Sequence, residues 1–162
     1  MSEEAHIDIG QPRDAQALVS FNRAMARETE GKELDLEILT AGVAALLADP
    51  ARGFYVVARR GGEVVGSLMI TTEWSDWRCG DFWWIQSVYV RPEARRQGVY
   101  RRLYDFVRAR AAATDGVCGF RLYVERGNHR AQQTYEALGM RETVYRMYEA
   151  SAEPLPFDSG PR

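Results

Sequence analysis

Residues 95–103 contain four arginines and a glycine, and they form a turn and the start of a predicted helix. The stretch reads Arg-Arg-Gln-Gly-Val-Tyr-Arg-Arg-Leu and follows an aromatic, β-branched run at residues 82–90. A helix N-terminus presents unpaired backbone N–H groups and the positive end of the helix dipole, and both favour a bound phosphate. Gly98 allows the backbone to approach an anion closely. The stretch therefore predicts a phosphate-binding turn between a strand and a helix.

A second stretch, residues 128–140, could supply an acid for proton transfer. Asn128 is a good N-cap for a helix in which Ala131, Tyr135 and Leu138 share one face, and Gly139 is a helix stop. The phenol of a tyrosine can deliver a proton and is still protonated at neutral pH. By spacing alone, packing with Ala131 and Leu138 is the better explanation of Tyr135, so an acid role depends on the whole motif.

The two stretches, in this order, resemble the motifs of the GNAT acyltransferase superfamily. The first motif, R/Q-x-x-G-x-G/A, is matched by Arg95 and Gly98, but Tyr100 stands where Gly or Ala is usual. The second motif, N-x-x-A-x-x-x-Y followed by L-G-F, is matched at Asn128, Ala131, Tyr135, Leu138 and Gly139, with Met140 in place of Phe. The resemblance covers roughly residues 5–149 in element order and is strongest over residues 85–140.

The resemblance implies an acetyl-CoA-dependent N-acetyltransferase in which the amine attacks directly in a ternary complex. The strand backbone would pair with the pantetheine amides, the turn would cradle the pyrophosphate, and Tyr135 would protonate the departing thiolate. The cofactor-binding residues implied are Val88, Tyr89, Val90, Arg95, Arg96, Gln97, Gly98, Val99, Tyr100, Arg101, Asn128, Ala131 and Tyr135.

The general base is not evident from the motifs. Many members of the superfamily place a glutamate on the strand before the glycine turn, but this chain has Gln86 there, which cannot take a proton. Glu73 is our first choice, since it ends a strand that leads into the expected acceptor cleft. Asp76, Asp81 and Glu125 are the alternatives, acting directly or through water.

All four tryptophans lie within eleven residues, interleaved with carboxylates. Aromatic faces and carboxylates together recognise organic cations. Strand alternation places Trp83 and Ile85 on one side and Trp84 and Gln86 on the other, so at least one tryptophan is expected in the core. The predicted acceptor-binding residues are Glu28 and Glu30, placed by the resemblance in the loop between the first two helices, and Trp74, Asp76 and Trp84.

The composition bounds the class of protein. A chain of 162 residues with 46% hydrophobic and 27% charged residues is typical of one soluble globular domain. The net charge of −2 gives no case for non-specific binding to nucleic acid, and no apolar run predicts a membrane span. Two cysteines without a signal peptide indicate a reduced, cytoplasmic protein, and two isolated histidines predict no metal site.

The elements that would position these residues alternate in the order β-α-α-β-β-β-α-β-α-β. Strands are predicted at residues 6–9, 54–59, 64–72, 82–90, 120–125 and 142–148, and helices after Pro12, Asp35, Gly98 and Asn128. This order predicts one mixed α/β domain over residues 5–149. By the resemblance, its central sheet is mixed but mostly antiparallel and is flanked by about four helices. Residues 150–162 are predicted to be a loosely ordered tail.

The acidic, aromatic loop favours a small-molecule amine as acceptor. Acetylation of a protein N-terminus or lysine is the alternative within the enzyme class, and Gln86 and Tyr100 motivate a catalytically silent acyl-CoA sensor as an alternative outside it. The sequence does not decide the acceptor's identity, the acyl chain length or whether the protein forms a homodimer.

Overall fold

The computed structural model describes residues 4–152, which fall into two compact units that divide after Tyr123. The first unit holds the whole sheet and three helices, and the second holds the fourth helix. Most of the predicted tail, residues 153–162, lies outside the described residues. The prediction of one domain over residues 5–149 stays a prediction.

Five strands form one mixed sheet in the order β1-β2-β3-β4-β5, in which only β4 and β5 are parallel. The strands are β1 His6–Ile9, β2 Phe54–Arg60, β3 Glu63–Ser75, β4 Gly80–Val90 and β5 Val117–Arg121, and the helices are α1 Ala15–Glu30, α2 Leu36–Ala48, α3 Val99–Ala112 and α4 His129–Ala137. This architecture confirms the predicted fold class.

Helices cover both faces of the sheet. The helices α1 and α2 pack on one face, where Leu18, Phe21 and Val43 join Tyr55 and Val57 of β2 in one buried cluster. The helix α3 lies on the other face and buries Leu103 and Val107 completely. We call the first of these the α1/α2 face. A sheet buried on both faces is rigid, so it can hold site residues at fixed positions.

The helix boundaries follow local signals. Asp35 caps α2 as predicted, since its carboxylate accepts a hydrogen bond from the Ile38 N–H at 3.0 Å. The helix α1 continues to Glu30 and ends at Gly31, whose φ of +61° suits glycine. Glu28 and Glu30 therefore lie in the last turn of α1, and the expectation that they lie in a loop was wrong. No glycine or proline interrupts the helix before Gly31.

The strand boundaries differ from the sequence pattern in three places. The hairpin of β3 and β4 is longer than predicted and leaves only residues 76–79 as the turn. The fifth strand begins at Val117 and ends at Arg121 instead of covering 120–125. Residues 142–148 are irregular where a strand was expected. Alternation reports a preference for the pleated conformation, but tertiary pairing decides which residues adopt it.

Asp14 forms a buried ion pair that ties the start of α1 to β2. Its carboxylate is 3% exposed and accepts two hydrogen bonds from the Arg59 guanidinium, at 2.8 and 2.7 Å, and a third from the Gln11 N–H. Burial raises the pKa of Asp14, but the hydrogen bonds and the positive charge of Arg59 outweigh burial and hold the pKa below its ordinary value.

We expect Asp14→Asn to destabilise the fold by about 3 kcal/mol or more, because it leaves the Arg59 cation buried without a counter-charge. Since the folded pKa of Asp14 is lowered, the stabilisation is complete above the ordinary aspartate pKa of about 3.9 and is lost as the pH falls towards the lower folded value. Denaturant unfolding at neutral pH and at pH 3 measures both effects. Equal stability of Asp14→Asn and wild type at neutral pH would contradict the assignment.

Candidate active site

The turn before α3 has the backbone shape of an anion-binding concavity. Arg96 and Gly98 both have positive φ angles, +61° and +75°, and Gln97 lies between them. When successive residues alternate between left-handed and right-handed backbone conformations, their N–H groups point towards one position. The helix begins at Val99, and no side chain among residues 4–152 caps its N-terminus. The turn and the helix N-terminus thus present backbone donors and a positive dipole end to the same region.

There is room for a phosphate against this turn. A Cβ built on Gly98 would meet no atom within 4 Å. Behind the turn, Val99 is buried, and its Cγ1 atom would lie 3.1 Å from a Cβ on Gly66 of β3. The turn is therefore fixed on its inner side and open on its outer side. The pyrophosphate site that the sequence predicts at this turn stays a prediction.

The sheet opens beside this turn, between β4 and β5. The pairing of the two strands runs only from Asp81 to Trp84 on β4, where Trp84 is partnered by Arg121. The strand β4 itself continues to Val90 and stays paired with β3. Over residues 85–90, the edge of β4 that faces away from β3 has no strand partner in the described part of the chain. A free strand edge of this kind can accept an extended chain.

A β-bulge lies in the part of β4 that is paired with β3 but no longer with β5. The register steps from the pair Met69–Gln86 to the pair Ser67–Tyr89, so two residues, Ser87 and Val88, oppose one residue of β3. Ser87 has a φ of +50°, in the left-handed region that is uncommon for residues other than glycine. Bulges bend a strand and re-aim its backbone groups.

The bulged edge offers hydrogen-bond donors to the opening. The N–H of Arg91 donates to the carbonyl of Val65 on β3. Strand alternation then directs the N–H groups of Val88 and Val90 to the opposite, open edge. The resemblance implies donors for an acyl-pantetheine chain at this edge, and a donor placed at the thioester oxygen would stabilise the charge that develops there.

Arg95 is held by protein groups around the end of β4. Its Nε donates to the Val90 carbonyl at 2.8 Å, its Nη2 donates to the Glu28 carboxylate at 2.8 Å, and its guanidinium lies 5.4 Å from the centre of the Tyr89 ring. The Tyr89 hydroxyl also donates to Glu28, at 3.3 Å. Burial is the main reason why the pKa of Tyr89 is raised. Arg95 thus connects the turn before α3 to the end of α1.

Tyr100 lies on the first turn of α3, where the family motif has a small residue. Its ring is stacked on that of Tyr104, one helical turn later, at 6.4 Å between centroids and 23° between planes. This contact favours a packing role.

We expect Tyr100→Gly to lower the melting temperature, because it removes the ring contact and costs about 1 kcal/mol in helix propensity. Calorimetric titration should show no gain in coenzyme A affinity. Tighter binding without loss of stability would contradict packing.

The helix α4, in the second unit, is capped at both ends by the predicted residues. Asn128 accepts a hydrogen bond from the Ala131 N–H at 3.1 Å. At the other end, Gly139 has a φ of +89°, and its N–H and that of Met140 donate to the carbonyls of Glu136 and Tyr135. Burial raises the pKa of the Tyr135 phenol above its ordinary value. The phenol therefore stays protonated across the neutral pH range, as an acid must.

Trp84, one of the predicted acceptor-binding residues, lies on the α1/α2 face of the sheet, outside the part that α1 and α2 cover. Trp84 is half-buried there, 6.2 Å from the Tyr123 ring between centroids. Gln86 lies on the same side and donates to the Thr71 hydroxyl at 2.6 Å. Glu73, the first choice for the base, follows on this face and forms an ion pair with Arg121. We call Thr71, Glu73, Trp84 and Gln86 the polar patch.

The structure does not bring the other acceptor candidates to the polar patch. Trp74 follows Glu73 in β3, so its side chain points to the opposite face, where it is 62% exposed. Asp76 lies in the β3–β4 turn and accepts a hydrogen bond from the Trp77 N–H. Trp83 is 5% exposed and packs on Phe54, which confirms that one tryptophan belongs to the core.

Sequence reasoning missed the partners of several site residues. Two of the missed features are contacts between residues that are distant in sequence: the ion pair of Glu73 with Arg121, and the contacts of Glu28 with Tyr89 and Arg95. The third is the bulge at Ser87, which depends on a strand register that the sequence pattern does not specify.

Within residues 4–152, no helix is long and apolar enough to cross a membrane. The same residues contain no group of three or more histidine, cysteine or acidic side chains arranged to hold a metal ion.

A model of the acetyltransferase (GNAT) family matches residues 16–140. The match begins in α1 and ends just after α4, so it includes both motifs and the four strands β2 to β5. No curated protein matches the sequence.

Solved structures give the same relationship. A protein of Clostridium difficile 630 described as a possible acetyltransferase is 44% identical, with a TM-score of 0.86, and the alignment covers 93% of this chain and 99% of that chain. A ribosomal-protein-alanine N-acetyltransferase from Brucella melitensis biovar Abortus 2308 is 18% identical (TM-score 0.72, 91% and 98% covered). AAC(6′)-Iy, in complex with the bisubstrate analog CoA-S-monomethyl-acetylneamine, is 16% identical (TM-score 0.72, 92% and 99% covered). The last two show the fold alone.

Proposed function

Because the chain belongs to the GNAT acetyltransferase family, we propose that this acetyltransferase transfers the acetyl group of acetyl-CoA to a primary amine of a small molecule, by direct attack in a ternary complex. The observation that carries the proposal is the opening between β4 and β5 next to the anion-binding turn. An acyl-pantetheine chain needs a strand edge, and its pyrophosphate needs a nest of N–H groups at one end of that edge.

The cofactor site assigned here has two parts. The turn at residues 96–98 and the first turn of α3 would bind the pyrophosphate, with Arg96 and Arg101 adding positive charge. The N–H groups of Val88 and Val90 would bind the acyl-pantetheine chain along the open edge. Arg95 is a positioning residue in this proposal, since its guanidinium is engaged by Glu28 and the Val90 carbonyl.

The acid for the departing thiolate is Tyr135 in this proposal. Support comes from its place in the second motif and from the direction of its pKa, which keeps the phenol protonated. A phenol that donates to the sulfur as the carbon–sulfur bond breaks leaves a neutral thiol. Asn128 would assist at the pantetheine arm in addition to capping α4.

The polar patch is the proposed acceptor site. Trp84 offers an aromatic face to a cationic or hydrophobic acceptor, and Glu28 adds a carboxylate at the other end of β4. Glu73 lies four residues along β3 from the partner of Gln86, or about 13 Å, so the amine's proton would reach it only through a chain of several waters. Its ion pair with Arg121 must then loosen when the acceptor binds.

Two further parts of the proposal depend on indirect support. Both cysteines, Cys79 and Cys118, are exposed free thiols, which fits a reducing cytoplasm.

Solved proteins of this fold include AAC(6′)-Iy and a ribosomal-protein-alanine N-acetyltransferase, so the fold itself admits small and large acceptors. The aromatic ring of Trp84 and the carboxylate of Glu73 on one face of the sheet are our reason for favouring a small molecule.

A panel of amines tests the proposal through acetyl-CoA-dependent release of free thiol. We expect turnover with one or more small primary amines that carry an aromatic or second cationic group. Turnover only with peptide N-termini or protein lysines would transfer the assignment to a protein acetyltransferase. Tight binding of acetyl-CoA without turnover of any amine would favour the acyl-CoA sensor.

A further inference from the structure

Arg60, at the end of β2, reaches the turn at residues 96–98 from a different element. Its Nη1 donates to the Gln97 side-chain oxygen at 2.8 Å. Gln97 lies between the two positive-φ residues of the turn, and its own Nε2 donates to the Glu93 carbonyl at 2.9 Å. Arg60 belongs to the hairpin of β2 and β3, 36 residues before the turn begins at Arg96, and neither motif includes it.

The Arg60 guanidinium is incompletely satisfied in its present position. Its Nε atom is buried from solvent and has no hydrogen-bond partner among the described residues. A buried donor without a partner costs free energy, and each such group in a native structure calls for an explanation. Because the Nε–H donates no hydrogen bond in this position, moving the guanidinium towards an anion would give it an acceptor.

The charges around the hairpin leave Arg60 available. Glu63, on the same hairpin, pairs with Arg91, and Glu93 also lies near Arg91. Within residues 4–152, no carboxylate lies within 4 Å of the guanidinium of Arg60 or of Arg96. Two arginines without acidic partners therefore flank one turn. Guanidinium groups of this kind are suited to phosphate, which they bind through two parallel hydrogen bonds.

We propose that Arg60 is a coenzyme A phosphate ligand, held ready beside the turn by Gln97. This inference rests on the proposed function, since it requires coenzyme A at the turn. Its ligand chemistry is a phosphate oxygen, supplied either by the pyrophosphate or by the 3′-phosphate of the adenosine. Arg60 adds a side-chain donor from the sheet to the backbone donors of the turn and α3.

Calorimetric titration with coenzyme A and with 3′-dephospho-coenzyme A tests this role. We expect Arg60→Gln to weaken coenzyme A binding about tenfold to a hundredfold, the effect of losing hydrogen bonds to a charged group. Arg60→Lys, which keeps the charge but not the planar fork, should fall between Arg60→Gln and wild type. Arg52→Gln is the matched control: it removes the same charge just before β2, at the other end of that strand, and should bind like wild type.

The second ligand identifies the phosphate. If the loss disappears with 3′-dephospho-coenzyme A, Arg60 binds the 3′-phosphate; if it persists, Arg60 binds the pyrophosphate. Wild-type affinity of a folded Arg60→Gln for both ligands would overturn the inference and leave the proposed function intact. If Arg60→Gln does not fold, the same comparison is made with Arg60→Lys. Failure of the wild-type protein to bind coenzyme A would overturn the proposed function itself, and the inference with it.

Discussion

Tyr135→Phe should lower kcat by about a hundredfold to ten-thousandfold, the range that general acid catalysis contributes. The substitution keeps the ring and removes only the hydroxyl, so the fold and the KM for acetyl-CoA should change little. Steady-state kinetics under conditions where chemistry limits the rate measure the effect. The deficit should shrink with an acyl donor whose thiol has a low pKa, because such a leaving group needs no proton.

Tyr55→Phe is the matched control for this result. Tyr55 is also a phenol whose pKa is raised by burial, but it is packed in the core cluster under α1 and α2 and belongs to neither motif. We expect this variant to keep kcat within about twofold of wild type, since no proton transfer depends on it. A Tyr135→Phe variant with wild-type kcat would reject the acid assignment and leave Tyr135 as a packing residue.

Gly98→Asp should abolish the stabilisation that coenzyme A gives to the wild-type protein. At a hundredfold excess over Kd, a ligand stabilises by about 2.7 kcal/mol, which raises the melting temperature of a domain of this size by roughly 5–10 °C. The aspartate would place a negative charge at the proposed anion site. It would also fill the open space beside Gly98, where a built Cβ has no atom within 4 Å. Thermal melting with and without coenzyme A measures the loss.

The backbone cost of this substitution needs its own control, because Gly98 has a φ of +75° that a side chain tolerates poorly. Gly116, just before β5, has a φ of +82° and also has no atom within 4 Å of a built Cβ. Gly116→Asp should therefore lower the melting temperature by a similar amount but keep the ligand-induced shift. A folded Gly98→Asp that is still stabilised by coenzyme A would count against the turn as the phosphate site.

The alternation of buried and exposed residues placed most strands and helices correctly from the sequence. Asp35 and Asn128 cap their helices as their types predict, and Trp83 is buried while Trp84 faces the other side. These features depend on residues within a few positions of one another, so the local pattern is enough to predict them. The turn before α3 belongs to the same class, because Gly98 and the helix start are adjacent.

Tertiary structure decided which site residues meet. The Glu73 carboxylate faces Arg121, Arg95 bonds Glu28 instead of standing free for a phosphate, and Arg60 reaches Gln97 from another hairpin. Each of these contacts closes a loop of 37 to 67 residues. No local preference encodes such a contact, because it depends on strand order, register and the side on which each helix packs.

The bulge at Ser87 shows the same division most clearly. The sequence determined that residues 82–90 form a strand and that a glycine turn and a helix follow it. Only the register between β3 and β4 decided that the strand would bulge at Ser87. Only the early end of the β4–β5 ladder at Trp84 decided that the edge beyond it would stay open for an extended chain. Strand pairing is a long-range choice among backbones that are chemically alike, so the opening of the sheet appears first in three dimensions.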